Sequence, residues 1–340
     1  MGLYRAVVGP LFLALPPEGA HRLANRSLGL PLPWGRIGGA HADPALERTL
    51  AGIRLANPIA LAAGFDKTGA RLDALGRLGF GYVVGGTFTR ASRPGNPKPR
   101  IVRYRSRGSM VNAMGLPNPG AETAARTLAR VRRTGPRLAS IADEALEDVL
   151  ETHALLEPHV DGIELNASCP NVSWGRDRNN EAHLASILRE LGARRRTPLF
   201  VKLPPFRDEV EREVVLALAG IAVEGGADGL VCSNTRRVGE PRLAVGAGGL
   251  SGRALFPDTV RIVAEVRAVT EGAVPIVACG GVSSAEDAVA CLRAGATAVQ
   301  VYTGLVYEGP RLVRELTSGI AERLRGNDAA LRPRARTEPS

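Results

Sequence analysis

Gly162-Ile163-Glu164-Leu165-Asn166-Ala167-Ser168-Cys169-Pro170-Asn171 opens as a short strand and leaves it as a polar loop. Seven further short apolar or β-branched segments are spread along the chain, at 59–63, 82–86, 138–141, 199–203, 229–233, 276–280 and 298–302. Stretches with helical periodicity lie between most of them, at 71–75, 210–222 and 284–294 for example, so strand and helix alternate. The alternation implies a parallel sheet, and eight repeats imply a closed (β/α)8 TIM barrel of the α/β class.

Such a barrel concentrates chemistry at the C-terminal ends of its strands. Those ends carry Gly64-Phe65-Asp66-Lys67, Gly86-Thr87, the run from Asn166 to Asn171, Lys202, Ser233-Asn234-Thr235, Gly280-Gly281 and Tyr302-Thr303. Amides, lysines, hydroxyls and glycines converge on one mouth, which stability alone does not explain.

Around this barrel, residues 1–40 are expected to form a small N-terminal helical extension. It reads as two amphipathic pieces divided by Pro10 and Pro16-Pro17 and presents Leu3, Val7, Leu11, Phe12 and Leu15. The extension suits either a cap on the barrel end or a membrane-surface or apolar-ligand site. Pro10 and the Pro16-Pro17-Glu18 run argue that it is retained rather than cleaved as a signal peptide. The barrel domain is expected over 41–324, and the Arg- and Pro-rich 325–340 as a disordered tail.

Apolar residues make up 44% of the chain and charged ones 23%, which excludes disordered and collagen-like classes. No apolar run reaches the roughly 20 residues that span a bilayer. The net charge of +10 suits an acidic surface or a phosphorylated ligand; without a recognisable binding module, no nucleic-acid partner is expected. The four cysteines lack the paired spacing of a zinc site, so no metal is expected, and a reducing cytoplasm is the natural setting.

Gly280-Gly281 and Tyr302-Thr303 place amides and a hydroxyl where barrels commonly bind phosphate, and Gly248-Gly249-Leu250-Ser251-Gly252 adds donors before a helix. In the Asn166 run two carboxamides bracket a thiol and suit a planar imide or amide ring. Cys169, as a thiolate, can remove a carbon-bound proton. Cys232, Cys279 and Cys291 read as small buried hydrophobes. Asn112-Ala113-Met114-Gly115-Leu116-Pro117-Asn118-Pro119-Gly120 reads as a loop able to hold a ligand's polar edge. Lys67 and Lys202, each at a strand end, call for an anion.

Together Ala62-Ala63-Gly64-Phe65-Asp66-Lys67, Gly86-Thr87, Arg93-Pro94-Gly95-Asn96-Pro97-Lys98-Pro99-Arg100, the Asn112 segment, the Asn166 run, Ser233-Asn234-Thr235, Gly249-Leu250-Ser251-Gly252 and Tyr302-Thr303 resemble the dihydroorotate dehydrogenase family, in order over roughly residues 10–320. The resemblance implies FMN held by Ala63, Gly64, Lys67, Thr87, Asn166, Lys202, Ser233, Gly252, Gly281, Tyr302 and Thr303. It implies a dihydroorotate or orotate ring held by Lys67, Asn112, Met114, Gly115, Leu116, Asn166, Asn171, Asn234 and Thr235. In the family's mechanism a base takes a proton from C5 while hydride leaves C6 for flavin N5. Cys169 matches that base, and Lys202 would stabilise the charge on the reduced flavin. A free thiol is only partly ionised at neutral pH, so nearby cations such as Lys67 are expected to assist it.

The family divides into a membrane-associated, quinone-reducing class and a soluble class that uses fumarate, NAD or a partner subunit. Leu15-Pro16-Pro17-Glu18-Gly19-Ala20-His21, Gly249-Leu250-Ser251-Gly252-Arg253 and the segment from Tyr302 to Pro310 resemble the quinone class. Cys169-Pro170-Asn171-Val172, Leu203-Pro204-Pro205 and Met114-Gly115-Leu116-Pro117-Asn118 resemble the soluble one. Ser140 stands where the family usually offers an asparagine facing flavin and substrate. The extension points to a quinone acceptor and to peripheral contact with the cytoplasmic membrane, in a monomer or homodimer. Oxidation of another dihydropyrimidine or a natural-product intermediate, a dihydrouridine-synthase-like RNA enzyme, and a catalytically silent scaffold are the competing readings.

Overall fold

The computed structural model describes residues 4–167, 180–326, 328 and 331. Its centre is a closed barrel of eight parallel strands: Ile59–Asp66, Tyr82–Phe88, Arg137–Ile141, Gly162–Asn166, Leu199–Leu203, Gly229–Cys232, Ile276–Cys279 and Ala298–Val301. Each strand pairs with its sequence neighbours, and the last closes on the first through Val299↔Ile59 and Val301↔Leu61. Among the described residues an α-helix follows each strand, beginning with Leu72–Gly76, and two follow the last, Thr303–Glu308 and Leu312–Arg325. All eight expected strands are present, the first two extended by a few residues towards the mouth.

The strands are apolar nearly throughout because both faces are buried. Ala60, Tyr82, Val84, Leu138, Phe200, Val231, Val277 and Ala298 pack together inside the barrel. Their sequence neighbours Ile59, Leu61, Val83, Ala139 and Ala278 pack outwards against the helices. A hairpin of Arg48–Leu50 and Ile53–Leu55 adds Leu50 and Leu55 to the inner cluster and closes the barrel at its base. The helices are started by local hydrogen bonds: Asp208 Oδ1 accepts from Glu211 N at 2.9 Å, and Ser284 and Asp287 form a reciprocal capping box.

Two excursions rise above the mouth. One, after the second barrel strand, holds Ile101–Tyr104 and Ser109–Asn112; the other, after the sixth, holds Arg236–Gly239 and Ala247–Gly252. They combine into a four-stranded antiparallel sheet in which Gly249 lies opposite Asn112. The glycine cluster and the start of the Asn112 segment, expected as turn and loop, are therefore strands. Each excursion supplies the pairing edge the other lacks, across more than a hundred residues.

The extension also departs from expectation. A π-helical turn Tyr4–Val8 runs directly into the helix Gly9–Ala14, and the helices Pro17–Leu28 and Trp34–Ile37 follow. Pro10 does not divide the first piece, because it occupies the first turn of a helix, where an amide hydrogen has no intrahelical partner to lose. Beyond Arg325, the expected disorder does not hold for the described residues. Asp328 pairs with Arg293 at 2.6 Å, and Leu331 is buried with its carbonyl accepting from Arg48 at 2.7 Å.

Phe200 is among the largest fully buried side chains of the inner cluster and packs over Gly229, where a Cβ would lie 2.6 Å from its ring. Phe200→Ala leaves a cavity that the rigid barrel cannot collapse, and is expected to cost about 3–5 kcal/mol in urea unfolding. A loss below about 1 kcal/mol would show that the barrel interior is not close-packed.

Candidate active site

A cavity of about 1300 Å³ opens at the C-terminal ends of the strands and continues beneath the N-terminal helices. Ala63, Gly64, Lys67, Thr87, Asn112, Met114, Leu116, Asn166, Lys202, Asn234, Thr235, Gly252, Gly281, Tyr302 and Thr303 all line it. Ser233 lies just behind the wall, buried, its amide donating to Cys279 O at 2.7 Å. Gly115 lies in the segment beside Met114 and Leu116, which Asn96 holds through bonds to Met114 O and Ala113 O. Cys169 and Asn171 lie outside the described residues.

Lys67 is placed by the turn that ends the first strand. The Asp66 carboxylate accepts from the amides of Thr68, Gly69 and Arg71, fixing that turn, and Lys67 Nζ donates to Gly64 O at 2.5 Å. Burial pushes the ammonium down to about 8; Asp66 opposes the shift, Arg100 adds to it and Glu18 opposes it. Two of its three donors remain for an anion in the cavity.

Across the mouth runs a chain of carboxamides and hydroxyls. Asn234 Nδ2 donates to Asn166 Oδ1 at 3.3 Å, Asn166 Nδ2 donates to Thr87 Oγ1 at 3.3 Å, and Thr87 Oγ1 meets Ser140 Oγ at 2.9 Å. The chain orients the Asn166 amide in the cavity wall. Ser140 is fully buried and serves this chain from behind, where a longer carboxamide would have reached further in.

On the opposite side, Tyr302 OH donates to Gly64 O at 3.2 Å and Thr303 Oγ1 meets Ser251 Oγ at 3.0 Å. Gly252 allows this crossing, since its φ is +91° and a Cβ would lie 2.3 Å from Gly108 O. Gly64, at φ +96°, instead faces open cavity, with only the Tyr302 ring within 4 Å of where a Cβ would stand. Phe65 meets Tyr302 edge-on at 5.5 Å, and His21 of the extension meets Phe65 at 5.6 Å. Burial and the Lys67 charge push His21 down to about 3 against a weaker pull from Glu18, so the imidazole is uncharged near neutral pH.

One reading from the sequence needs correction. Cys232 and Cys291 are buried as expected, but Cys279 lines the cavity beside Lys202. Inward-facing strand positions alternate, and Cys279 shares the interior with Gln300 opposite it in register. Glu164 and Gln300, which hold Lys202, and Tyr82, which Gln300 reaches, were not singled out from the sequence. The signal was present for Glu164: a carboxylate inside a barrel strand requires a cationic partner.

The Lys67 ammonium yields a prediction. Above about pH 8 the folded chain sheds a proton that the unfolded chain keeps until the ordinary lysine value of 10.5, so this group makes stability rise with pH across that window. Melting temperatures in parallel buffers should show the unsubstituted protein gaining on Lys67→Met between those limits. Parallel curves would mean that Lys67 titrates as a solvated lysine.

The flavin expected here can be tested against this geometry. The open face at Gly64, the Lys67 ammonium, the Asn166 carboxamide in the wall and the Lys202 ammonium on the floor offer a polar site that fits a flavin ring. The glycines and hydroxyl around Gly252, Gly281 and Thr303 fit its phosphate.

The family model for dihydroorotate dehydrogenase matches residues 45–324. Among curated relatives, the Methylococcus capsulatus protein named dihydroorotate dehydrogenase (quinone) is 38% identical over 343 residues, covering 94% of this chain and 99% of that one. A Rhodospirillum rubrum protein of the same name is 37% identical, covering 94% and 90%. Among solved structures, Eimeria tenella DHODH in complex with ferulenol superposes with a TM-score of 0.80 at 29% identity, covering 92% of this chain and 93% of that one. Similarity of this reach, on a barrel whose mouth gathers the lysines and carboxamides in one cavity, means that the chain belongs to the dihydroorotate dehydrogenase family of flavin-dependent oxidoreductases.

Proposed function

We propose that the protein oxidises dihydroorotate to orotate, the redox step of pyrimidine biosynthesis, with FMN as its flavin and a quinone as its electron acceptor. The observation that carries this reading is continuity: one cavity joins Lys67, Asn166 and Lys202 at the mouth to Phe12, Leu13, Pro17, Ala24, Leu28 and Ile37 of the extension.

FMN, when bound, supplies the two-electron acceptor for the substrate's hydride and the donor to the quinone. The protein's share is placement and charge. Ala63, Gly64, Thr87, Asn166, Lys202 and Ser233 would surround the ring, and Gly252, Gly281, Tyr302 and Thr303 the phosphate. Lys67 offers its ammonium to the substrate carboxylate, while Asn112, Asn166, Asn171, Asn234 and Thr235 offer donors and acceptors matched to an imide edge. Met114, Gly115 and Leu116 would close over the ring. Cys169 takes the C5 proton, helped by the Lys67 charge.

The extension provides the acceptor's route. It is anchored by charge: Arg100 binds the Glu18 carboxylate with two bonds of 3.1 Å, Arg103 donates to Phe12 O and Leu15 O, and Arg105 donates to Leu13 O. Its other side exposes Val7, Leu11, Leu15, Leu23, Leu30 and Leu32. Among the described residues no helix is long and apolar enough to cross a membrane. An apolar face of this kind on a basic protein suits peripheral seating on the cytoplasmic membrane, from which a quinone can enter directly.

Anaerobic addition of dihydroorotate to the purified flavoprotein should bleach the flavin absorbance. A flavin that stays oxidised with dihydroorotate but reacts with another dihydropyrimidine would reject the substrate. Cys169→Ala should slow bleaching by about 100-fold or more, the usual contribution of a general base; an unchanged rate removes Cys169 from that role.

Acceptor choice is tested separately. Ala24→Trp fills the passage and should slow reoxidation by a ubiquinone or menaquinone analogue while the bleaching rate stays the same. Brisk turnover with fumarate or NAD and none with quinones would overturn the acceptor.

A further inference from the structure

Below the mouth, the barrel interior holds a polar cluster that the steps above leave unused. The Glu164 carboxylate, from the fourth barrel strand, is fully buried. Its Oε1 accepts from Lys202 Nζ at 3.4 Å, and its Oε2 accepts from Gln300 Nε2 at 2.8 Å. Gln300 Oε1 accepts from Lys202 at 3.3 Å, and Gln300 Nε2 also reaches the Tyr82 hydroxyl at 3.2 Å. Strand register builds the cluster: Lys202 lies opposite Asn166, two residues beyond Glu164 on the same inward face, and Gln300 lies opposite Cys279. Lys202, Gln300 and Cys279 line the cavity floor, with Glu164 behind them.

A carboxylate taken this far from water is costly unless its oxygens are paired, and here both are. Lys202 donates to Glu164 and Gln300 within the cluster and meets the Cys279 sulfur beside it. The ion pair sums to zero charge. A ring on this floor that becomes negative on reduction is drawn by the ammonium and repelled by the carboxylate behind it.

We infer that Glu164 is a positioning residue for Lys202: it fixes the ammonium at the cavity floor and offsets part of its charge, so that the bound flavin is harder to reduce than an unpaired lysine would make it. This rests on the flavin reading above. The titration of Lys202 agrees. Burial alone would lower the ammonium, yet Cys279 and Glu164 outweigh burial and hold it above the ordinary lysine range. A flavin held less reducible passes its electrons on more readily, which suits a site that must reduce a second substrate.

The test equilibrates the bound flavin of the purified holoenzyme with phenosafranine under anaerobic conditions and reads both by absorbance. At the dye ratio that half-reduces the unsubstituted protein, Glu164→Gln should raise the ratio of reduced to oxidised flavin at least about tenfold, the scale of one unit charge acting across a protein interior. An unchanged ratio in a folded, flavin-bearing Glu164→Gln variant overturns the inference, even if its melting temperature falls, because a purely structural carboxylate would move stability alone. Should that variant fail to fold, the double variant Lys202→Met/Glu164→Gln, which leaves no unpaired charge, replaces it. Because the offsetting charges leave together, its dye ratio should stay within about threefold of the unsubstituted protein, and a fall of about tenfold or more would show an uncompensated ammonium and overturn the inference. A protein that takes up no flavin when offered FMN overturns the flavin reading and this inference with it, an outcome distinct from an unchanged dye ratio.

Discussion

A barrel closed on itself has no free sheet edge, and this constraint governs everything else in the molecule. Val299↔Ile59 completes a ring in which the strand backbones satisfy one another, so apolar side chains can fill both faces of every strand. The interior is then too crowded for a ligand at its base, where Tyr82, Phe200 and Leu138 meet the plug from the Leu50 and Leu55 hairpin. Only the upper layer can be polar, because only there does the cavity admit water or a ligand. Glu164, Lys202 and Gln300 sit at the boundary between these regimes and are paired with one another; Thr87, Asn166 and Asn234 line the cavity and are linked by their own hydrogen bonds.

The same constraint explains what could be read from the chain and what could not. The eight strands were legible because a strand buried on both faces is a short unbroken apolar run, and the helices between them repeat every three to four residues. The polar strand ends were legible for the complementary reason, since carboxamides and lysines interrupt those runs. The mouth sheet was not, because Ser109–Asn112 and Ala247–Gly252 are strands only in each other's company, and a glycine-rich edge has no local preference for extended backbone. Pro10 misled because proline marks the start of a helix as readily as its end. Cys279 and Glu164 were missed for want of register: which residues of a strand face inwards, and which meet across the barrel, is a property of pairing between distant segments.

Seating the extension is an electrostatic matter more than an apolar one. Helix Gly9–Ala14 ends with carbonyls that have no intrahelical donors, and Arg103 and Arg105 reach from the mouth sheet to supply them. Arg100 grips Glu18 at the start of the next helix, and Arg71 donates to Asn25 O at 2.9 Å. Anchoring by arginine forks leaves the apolar side chains of these helices free to line the cavity on one side and to stay exposed on the other. A helix pair held by buried leucines would have had no such faces to offer.

This arrangement also resolves why the chain carries marks of two classes. Among the described residues, the hydrogen bonds and ion pairs that seat the extension run to residues 71–105 and 306–315, on the side of the barrel formed by its last and first two strands. The cysteine-bearing run leaves the fourth strand, whose pairing partners are the third and fifth. A residue that takes a proton from the substrate must match the substrate, whereas a passage to the flavin must match the acceptor, and neither places a packing demand on the other. Proton removal and electron delivery are separate half-reactions carried by separate parts of the fold, so a cysteine loop of the soluble type and an extension of the quinone type can reside in one enzyme without conflict.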